Sequence, residues 1–204
     1  QIIHTDRPDK IFNMKFDVII GNPPYQLNDG GGIGTSAIPI YHKFISQAKK
    51  LNPKYLAMIV PARWYSGGKG LDEFRDEMLN DNRIREIHDY LNASDCFPGV
   101  QIKGGICYFL WDRDNPGLCK VTSYNNNKII SSVERPLMEA QTKVFIRFNE
   151  AISILKKVQK HGEESILSQI SSRKPYGIDS SYNKFKKIKS DVFLILLNIF
   201  RFFS

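Results

Sequence analysis

The sequence predicts an α/β fold. Parallel strands are joined by crossover helices, an antiparallel hairpin ends the sheet, and a mostly helical C-terminal extension follows. Three observations predict it. Val18-Ile19-Ile20 is a β-branched run suited to a strand buried on both faces, and it stops abruptly in Gly21-Asn22-Pro23-Pro24-Tyr25. Apolar runs and amphipathic stretches then alternate as strand, helix, strand, helix, strand up to Leu91, the order of crossover units in a parallel sheet. No crossover helix fits between the run at Tyr90-Leu91 and the run from Gly104 to Trp111, so these strands should pair antiparallel.

Each element has its own signal. Ile2-Ile3 before Thr5-Asp6 reads as a short strand. After the first long strand, Gly21 permits a tight turn, and Pro23-Pro24 fixes two successive φ angles and forbids continuation of the sheet. The predicted product is a rigid hook at the carboxyl end of a central strand, where open α/β sheets bind ligands. Residues 26–37 are a loop of small residues; it follows a hook and no Lys-Ser or Lys-Thr closes it, so it reads as a site-flanking loop and not a phosphate cradle. Ile38, Tyr41, Phe44, Ile45 and Ala48 recur at helical spacing, and Asn52-Pro53 stops that helix. Tyr55 to Val60 is the next strand, Leu71 to Asn80 a helix with Asp72 and Glu73 in its first turn, and Ile84 to Leu91 a third strand. Leu118 to Tyr124 reads as an edge strand and residues 128–148 are mixed. Asn149 is placed to cap a helix running to about His161.

Composition sets the outer limits. A chain of 204 residues can build one sizeable core and an appendage. Hydrophobic content of 42% and charged content of 25% are ordinary for a globular protein. The net charge of +8 fits a polyanionic partner. Cys96, Cys107 and Cys119 show no CxxC spacing, and an odd count without a secretory signal fits the reducing cytoplasm. The four histidines are scattered and suggest no metal site. Lys184, Lys186, Lys187 and Lys189 precede an apolar run, Val192 to Phe203, that falls short of the ~20 residues a membrane span needs. A surface-lying tail and a frameshifted reading frame both fit it, and no membrane association is expected.

The hook suggests a chemistry. The Asn22 side-chain oxygen and the Pro23 carbonyl are two acceptors on a stiff corner, matched to the two hydrogens of an amino group. Tyr25 adds a flat ring that can stack on a base. Holding both N–H bonds leaves the nitrogen lone pair free to meet an electrophile.

Asn22-Pro23-Pro24-Tyr25 after an apolar strand resembles the catalytic motif of amino-group methyltransferases that use S-adenosylmethionine. With its surroundings it looks like the N6-adenine DNA methyltransferases of restriction–modification systems, the Eco57I-like branch in particular. The resemblance implies a partial Rossmann-like methyltransferase sheet. Residues 1–124 would be the C-terminal half of the catalytic domain, and 125–204 a linker, a helix and the start of a truncated target-recognition region. It implies that Asn22, Pro23, Pro24 and Tyr25 are catalytic and that the flipped adenine stacks between Tyr25 and Phe97. The lesser alternative for Phe97 is a ring packed under its loop. Asp6 is the candidate for the adenine end of the cofactor, or a solvated loop aspartate, and Asn22 borders the cofactor as well. Asp17 is a structural strand-end residue or a weaker cofactor contact. Pro61-Ala62-Arg63-Trp64 resembles the family's Pro-x-x-Trp, with Arg63 touching phosphate or anchoring its loop and Trp64 a groove wall or a lid over the core. Ser172-Arg173-Lys174-Pro175 resembles the start of the recognition region. Arg63, Lys69, Lys103, Arg173 and Lys174 are the candidate DNA contacts, and Lys156, Lys157 and Lys160 form a DNA-facing stripe or a solvated face.

The glycine loop that grips the methionine part of the cofactor, which the family keeps N-terminal to the motif, has no counterpart in the sequence. A fragment that relies on a complementary chain is therefore expected. The implied partner is double-stranded DNA. The rival readings are a non-catalytic DNA- or partner-binding remnant and a methyltransferase acting on RNA adenine or protein glutamine.

Overall fold

The computed structural model describes residues 2–12, 14–27 and 38–162. Six strands form one sheet: β1 (Val18–Gly21), β2 (Tyr55–Pro61), β3 (Ile84–Tyr90), β4 (Ile106–Asp112), β5 (Cys119–Asn125) and β6 (Lys128–Arg135). The helices are α1 (Asp9–Phe12), α2 (Tyr41–Lys50), α3 (Asp72–Asn80) and α4 (Asn149–Lys160). The spatial order is β1-β2-β4-β3-β5-β6.

The strand–helix alternation is as expected, and so is the antiparallel partnership of β3 with β4. β2 and β3 are not neighbours in the sheet: β4 runs antiparallel between them, paired to both. Pairing β4 on both sides satisfies its backbone groups along seven residues opposite β2, which a hairpin at the sheet's edge would leave half open.

Packing is one-sided. Leu56, Met58 and Val60 on β2 face the same way as Phe109 and Trp111 on β4 and Ile87 on β3, under Tyr41 and Ile45 of α2 and Phe74 and Met78 of α3. Each such side chain contributes ~1.5–3 kcal/mol on burial. The prediction that Val18-Ile19-Ile20 is buried on both faces is overturned. Among the described residues β1 is an edge strand, and Val18 and Ile20 are 51% and 78% exposed. The β-branched run that suits a buried strand is therefore half open here.

Other expectations are also corrected. Ile2–His4 is a 3-10 turn, not a strand. Gly21 is not needed for its turn, since a Cβ there would meet Met58 only at an ordinary 3.8 Å. The boundary drawn at 124/125 falls inside β5, within the β5–β6 hairpin, and the compact unit runs to Lys160. The described part of the extension thus opens with a strand of the same sheet and is helical only in α4. Asn149 does not cap α4 through its side chain. It is buried, accepts from Arg135 Nε at 2.8 Å and donates to Ser131 Oγ at 2.8 Å and to the Val121 carbonyl at 3.3 Å.

One polar cluster holds the helical layer to the sheet. The buried Asp81 accepts from Trp111 Nε1 at 2.9 Å, from Arg83 at 2.7 and 3.0 Å, and from Lys49 Nζ of α2 at 3.0 Å. Burial by itself would raise this carboxyl. Arg83, Lys49 and Trp111 together outweigh it and hold Asp81 well below the usual carboxylate range. A depressed folded-state pKa adds stability above the unfolded value of about 4, and that stability disappears as the pH falls toward the folded pKa. Asp81→Ala, which strands Lys49 and the indole N–H, is expected to cost about 3 kcal/mol at pH 7. Urea unfolding at pH 7 and pH 3 should show the gap between wild type and variant narrowing at the lower pH.

Candidate active site

β1, β2 and β3 run in one direction, and β4 runs against them. Their carboxyl ends and the start of β4 therefore share one edge of the sheet. The hook 22–25 leaves β1 there, and the 91–105 loop, connecting β3 to β4, lies on the same edge. Ala62 at the end of β2 donates its N–H to the Gly105 carbonyl at 3.0 Å and ties the two together.

Within the hook Pro23 is buried, while Asn22 and Pro24 are exposed and Tyr25 is half-buried. The far side is held by the approach to α2: Ile40 donates its N–H to the Tyr25 carbonyl at 3.1 Å, and Leu27 donates to Ile38 at 3.1 Å. Asn22, Pro23, Pro24 and Tyr25 line one open cleft of about 530 Å³ with Phe97, Val100 and Ile102. Burial pushes the Tyr25 phenol up to about 12, with smaller contributions from Cys107 and Cys96, so the ring is uncharged at neutral pH. Tyr25 is therefore a platform there, not a base. Asn22 offers an acceptor and two donors in the same cleft.

The loop facing the hook is internally braced. The Asn92 side chain accepts from the Ser94 N–H at 3.2 Å, and Phe97 donates its N–H to the Ala93 carbonyl at 2.9 Å. Asp95 accepts from the Asn127 N–H at 3.2 Å, linking this loop to the β5–β6 turn.

Neighbouring clefts share residues with the first. Behind the hook, Asn22, Pro23 and Pro24 also border an apolar cleft of about 530 Å³ lined by Phe12, Phe16, Phe44 and Leu51. On the other side, Tyr25 and Ile102 continue into a cleft of about 380 Å³ with Tyr41, Arg63, Gln101 and Lys103. Arg63 and Lys103 continue in turn into a basic cleft of about 610 Å³ that includes Lys69 and Arg147. The structure thus brings Asn22, Tyr25 and Phe97 together, and gathers Arg63, Lys69 and Lys103 next to them.

Asp6 is exposed, and the lining of the apolar cleft behind the hook includes Ile2 but not Asp6. Trp64 is 0% exposed, wedged against Tyr65 and Phe74 at ring distances of 4.7 and 6.0 Å, so it is a lid over the core and not a groove wall. Asp17 is exposed and accepts the Tyr55 N–H through its backbone carbonyl at 2.8 Å. Lys156 pairs with Glu139 at 3.6 Å. Arg173 and Lys174 lie outside the described residues, as do loop residues 28–37 and the apolar tail. The sequence reading missed Val100, Gln101, Ile102 and Arg147. Arg147 had a faint signal, a cation set among Phe145, Ile146 and Phe148. Among the described residues, no group of three or more His, Cys, Asp or Glu side chains could hold a metal, and no helix is long and apolar enough to cross a membrane.

Comparison with known proteins agrees with the motif. Residues 1–97 match the family model described as Eco57I restriction-modification methylase. A Mycoplasma pneumoniae (strain ATCC 29342 / M129 / Subtype 1) protein named "uncharacterized adenine-specific methylase" is 48% identical over 106 residues, 51% of this chain. The matched part spans only 25% of that relative's length. Among solved structures, the type I restriction-modification methyltransferase subunit from Streptococcus thermophilus superposes with a TM-score of 0.41 at 12% identity, over 81% of this chain and 36% of that one. A DrdV–DNA complex superposes with a TM-score of 0.40 at 16% identity, over 64% and 16%. Overlaps this loose say nothing about activity.

Gly105 is the tightest point of the site's frame. It sits at φ +81°, and a Cβ would lie 2.2 Å from the Tyr90 carbonyl oxygen and 2.8 Å from that of Leu91. Gly105→Ala is expected to destabilise the fold by ~2 kcal/mol, measured by urea unfolding, whereas Gly104→Ala, with open space around it, should cost less.

Proposed function

We propose that this chain forms the target-base side of an adenine-N6 DNA methyltransferase of a restriction–modification system. The observation that carries this reading is the shared cleft: Asn22, Tyr25 and Phe97 line one opening, and cations begin one cleft away.

In this reading an adenine flipped from the duplex enters between Tyr25 and Phe97. Both rings are uncharged and offer sequence-tolerant stacking, while the Asn22 side-chain oxygen and the Pro23 carbonyl accept the two N6 hydrogens. These groups do no strong acid–base work. They orient the amino group and bind it more tightly as positive charge develops on nitrogen. S-adenosylmethionine, when bound, supplies an electrophilic methyl group. On this chain the residues that would face it are Asn22, Pro23 and Pro24, whose far side borders the apolar cleft. Asp6 is the weaker candidate, since it is absent from that lining. A complementary chain or a further stretch of polypeptide contributes the rest of the cofactor site.

Arg63, Lys69 and Lys103 are the proposed phosphate contacts. They fit double-stranded DNA as partner and, with three free thiols at Cys96, Cys107 and Cys119, action in the cytoplasm. The same basic cleft weighs against a protein glutamine as substrate.

Transfer of tritiated methyl groups to unmethylated genomic DNA, RNA and protein, run side by side, tests the substrate class. Transfer to DNA alone is expected, and transfer to protein or RNA alone would overturn the assignment. Asn22→Ala should lower transfer by roughly a hundredfold or more while DNA binding, read by fluorescence anisotropy, is largely kept. Phe97→Ala should lower kcat/KM by the equivalent of ~1–3 kcal/mol, the worth of one stacking contact. Unchanged turnover in either variant would remove that residue from the site.

A further inference from the structure

The loop carrying Phe97 leaves the sheet at Tyr90 and returns at Gly104-Gly105. One side chain bonds to both ends. Arg147, on the segment between β6 and α4, donates from Nη2 to the Tyr90 carbonyl at 3.2 Å and from Nη1 to the Gly104 carbonyl at 2.7 Å. Its remaining bonds hold it in place. Nε donates to Asp89 Oδ2 at 2.6 Å and Nη2 to Asp89 Oδ1 at 2.7 Å, a two-pronged pairing with a carboxylate that is 0% exposed.

The segment is pinned on its other side as well. Phe145 donates its N–H to the Tyr65 carbonyl at 3.2 Å and packs its ring on Tyr65 at 4.4 Å. Arg147 lines the basic cleft, yet its bonds turn inward, toward backbone carbonyls and a buried carboxylate. A surface cation recruited only for a polyanion would not be committed in this way. A guanidinium suits the task because its planar fork reaches a carboxylate and two carbonyls at once, which an ammonium cannot do.

We infer that Arg147 is a positioning residue for the target base: it clips together the two ends of the 91–103 loop and thereby sets Phe97 opposite Tyr25. This rests on the reading of the cleft as a base pocket. It makes the residues between β6 and α4 part of the site without contact to the reacting atoms. Asp89 is the anchor that keeps the guanidinium from swinging out to solvent.

Two measurements test it, one of which needs no DNA. Cys96 lies in the loop next to Phe97 and is partly exposed, whereas Cys107 and Cys119 are buried. Alkylation of the full chain by iodoacetamide, followed site by site by mass spectrometry, therefore reads loop opening at Cys96 and global unfolding at the other two. Arg147→Met should speed Cys96 alkylation about tenfold or more, the effect of losing charge-assisted hydrogen bonds, with Cys107 and Cys119 unchanged. Arg147→Lys keeps the charge but not the span, and should shift Cys96 in the same direction. If the Met variant loses its fold and all three thiols react together, the Lys variant decides. Unchanged Cys96 reactivity, or a rise that all three thiols share, in Arg147→Lys overturns the clip.

The second measurement is the methyl-transfer assay. Arg147→Lys should lower kcat more than it raises KM. Combined with Phe97→Ala it should reduce kcat/KM no further than Phe97→Ala alone, because the arginine acts through that ring. Additive losses would overturn the positioning role. If this chain, assembled with the polypeptide that completes its cofactor site, transfers no methyl group to DNA, the base-pocket reading fails, while the alkylation result still judges the clip by itself.

Discussion

The insertion of β4 between β2 and β3 is the constraint from which the site's geometry follows. Its seven-residue antiparallel register with β2 ends at Pro61↔Ile106, so the start of β4 must lie at the carboxyl ends of its neighbours. The loop feeding β4 is thereby delivered to the edge where the hook leaves β1. Move β4 outside β3, as a simple terminal hairpin would, and Gly105 would no longer lie beside the end of β2, where the Ala62 N–H now ties down the returning end of the loop. The ring pair is a consequence of strand order before it is a matter of side chains.

Packing around that frame is uneven. The helical layer buries one face of the sheet under large apolar residues, and Asp81, at the end of α3, ties Lys49 of α2 to Trp111 on β4. The opposite face carries half-buried aromatic rings in near-parallel pairs, Tyr90 on Tyr124 at 4.3 Å and His88 on Tyr108 at 4.4 Å. Stacked rings of this kind pair across adjacent strands and stiffen a sheet without needing a cover. The edge at β1, with Ile20 largely exposed, is where apolar surface is least covered among the described residues.

Two buried carboxylates do different work. Asp81 joins helices to sheet, and three cationic or N–H partners keep it ionised. Asp89 sits at the end of β3, where burial raises its carboxyl against the pull of Arg147, and it has a guanidinium that also reaches the site's loop. Removing either partner of such a pair leaves a buried charge without compensation, so both positions are structurally demanding. The exposed cations Arg63 and Lys103 line the two clefts beyond Tyr25.

Local pattern in the sequence was enough for most elements, though not for β6, α1 or the turn at Ile2–His4, because side-chain periodicity is a property of neighbouring residues and survives without knowledge of the fold. The bounds of β2, β3, β4, β5 and α4 fall within a residue or two of the apolar runs, and the hook's stiffness follows from two adjacent prolines. The exposure of β1, the burial of Trp64 and the use of Asn149 as a bridge between strands were not legible. Each depends on what lies across from the residue, and the same residue type serves either outcome. Phe97 reached the site through a resemblance of motifs, whereas Arg147 could only be found in three dimensions, since its partner Asp89 is 58 residues away. The sequence by itself determined most of the strands and helices, β6 and α1 excepted, and where the chain must turn. Tertiary structure alone decided which strand lies beside which, and therefore which side chains share a cleft, because pairing over long separations is settled by competition among all available partners.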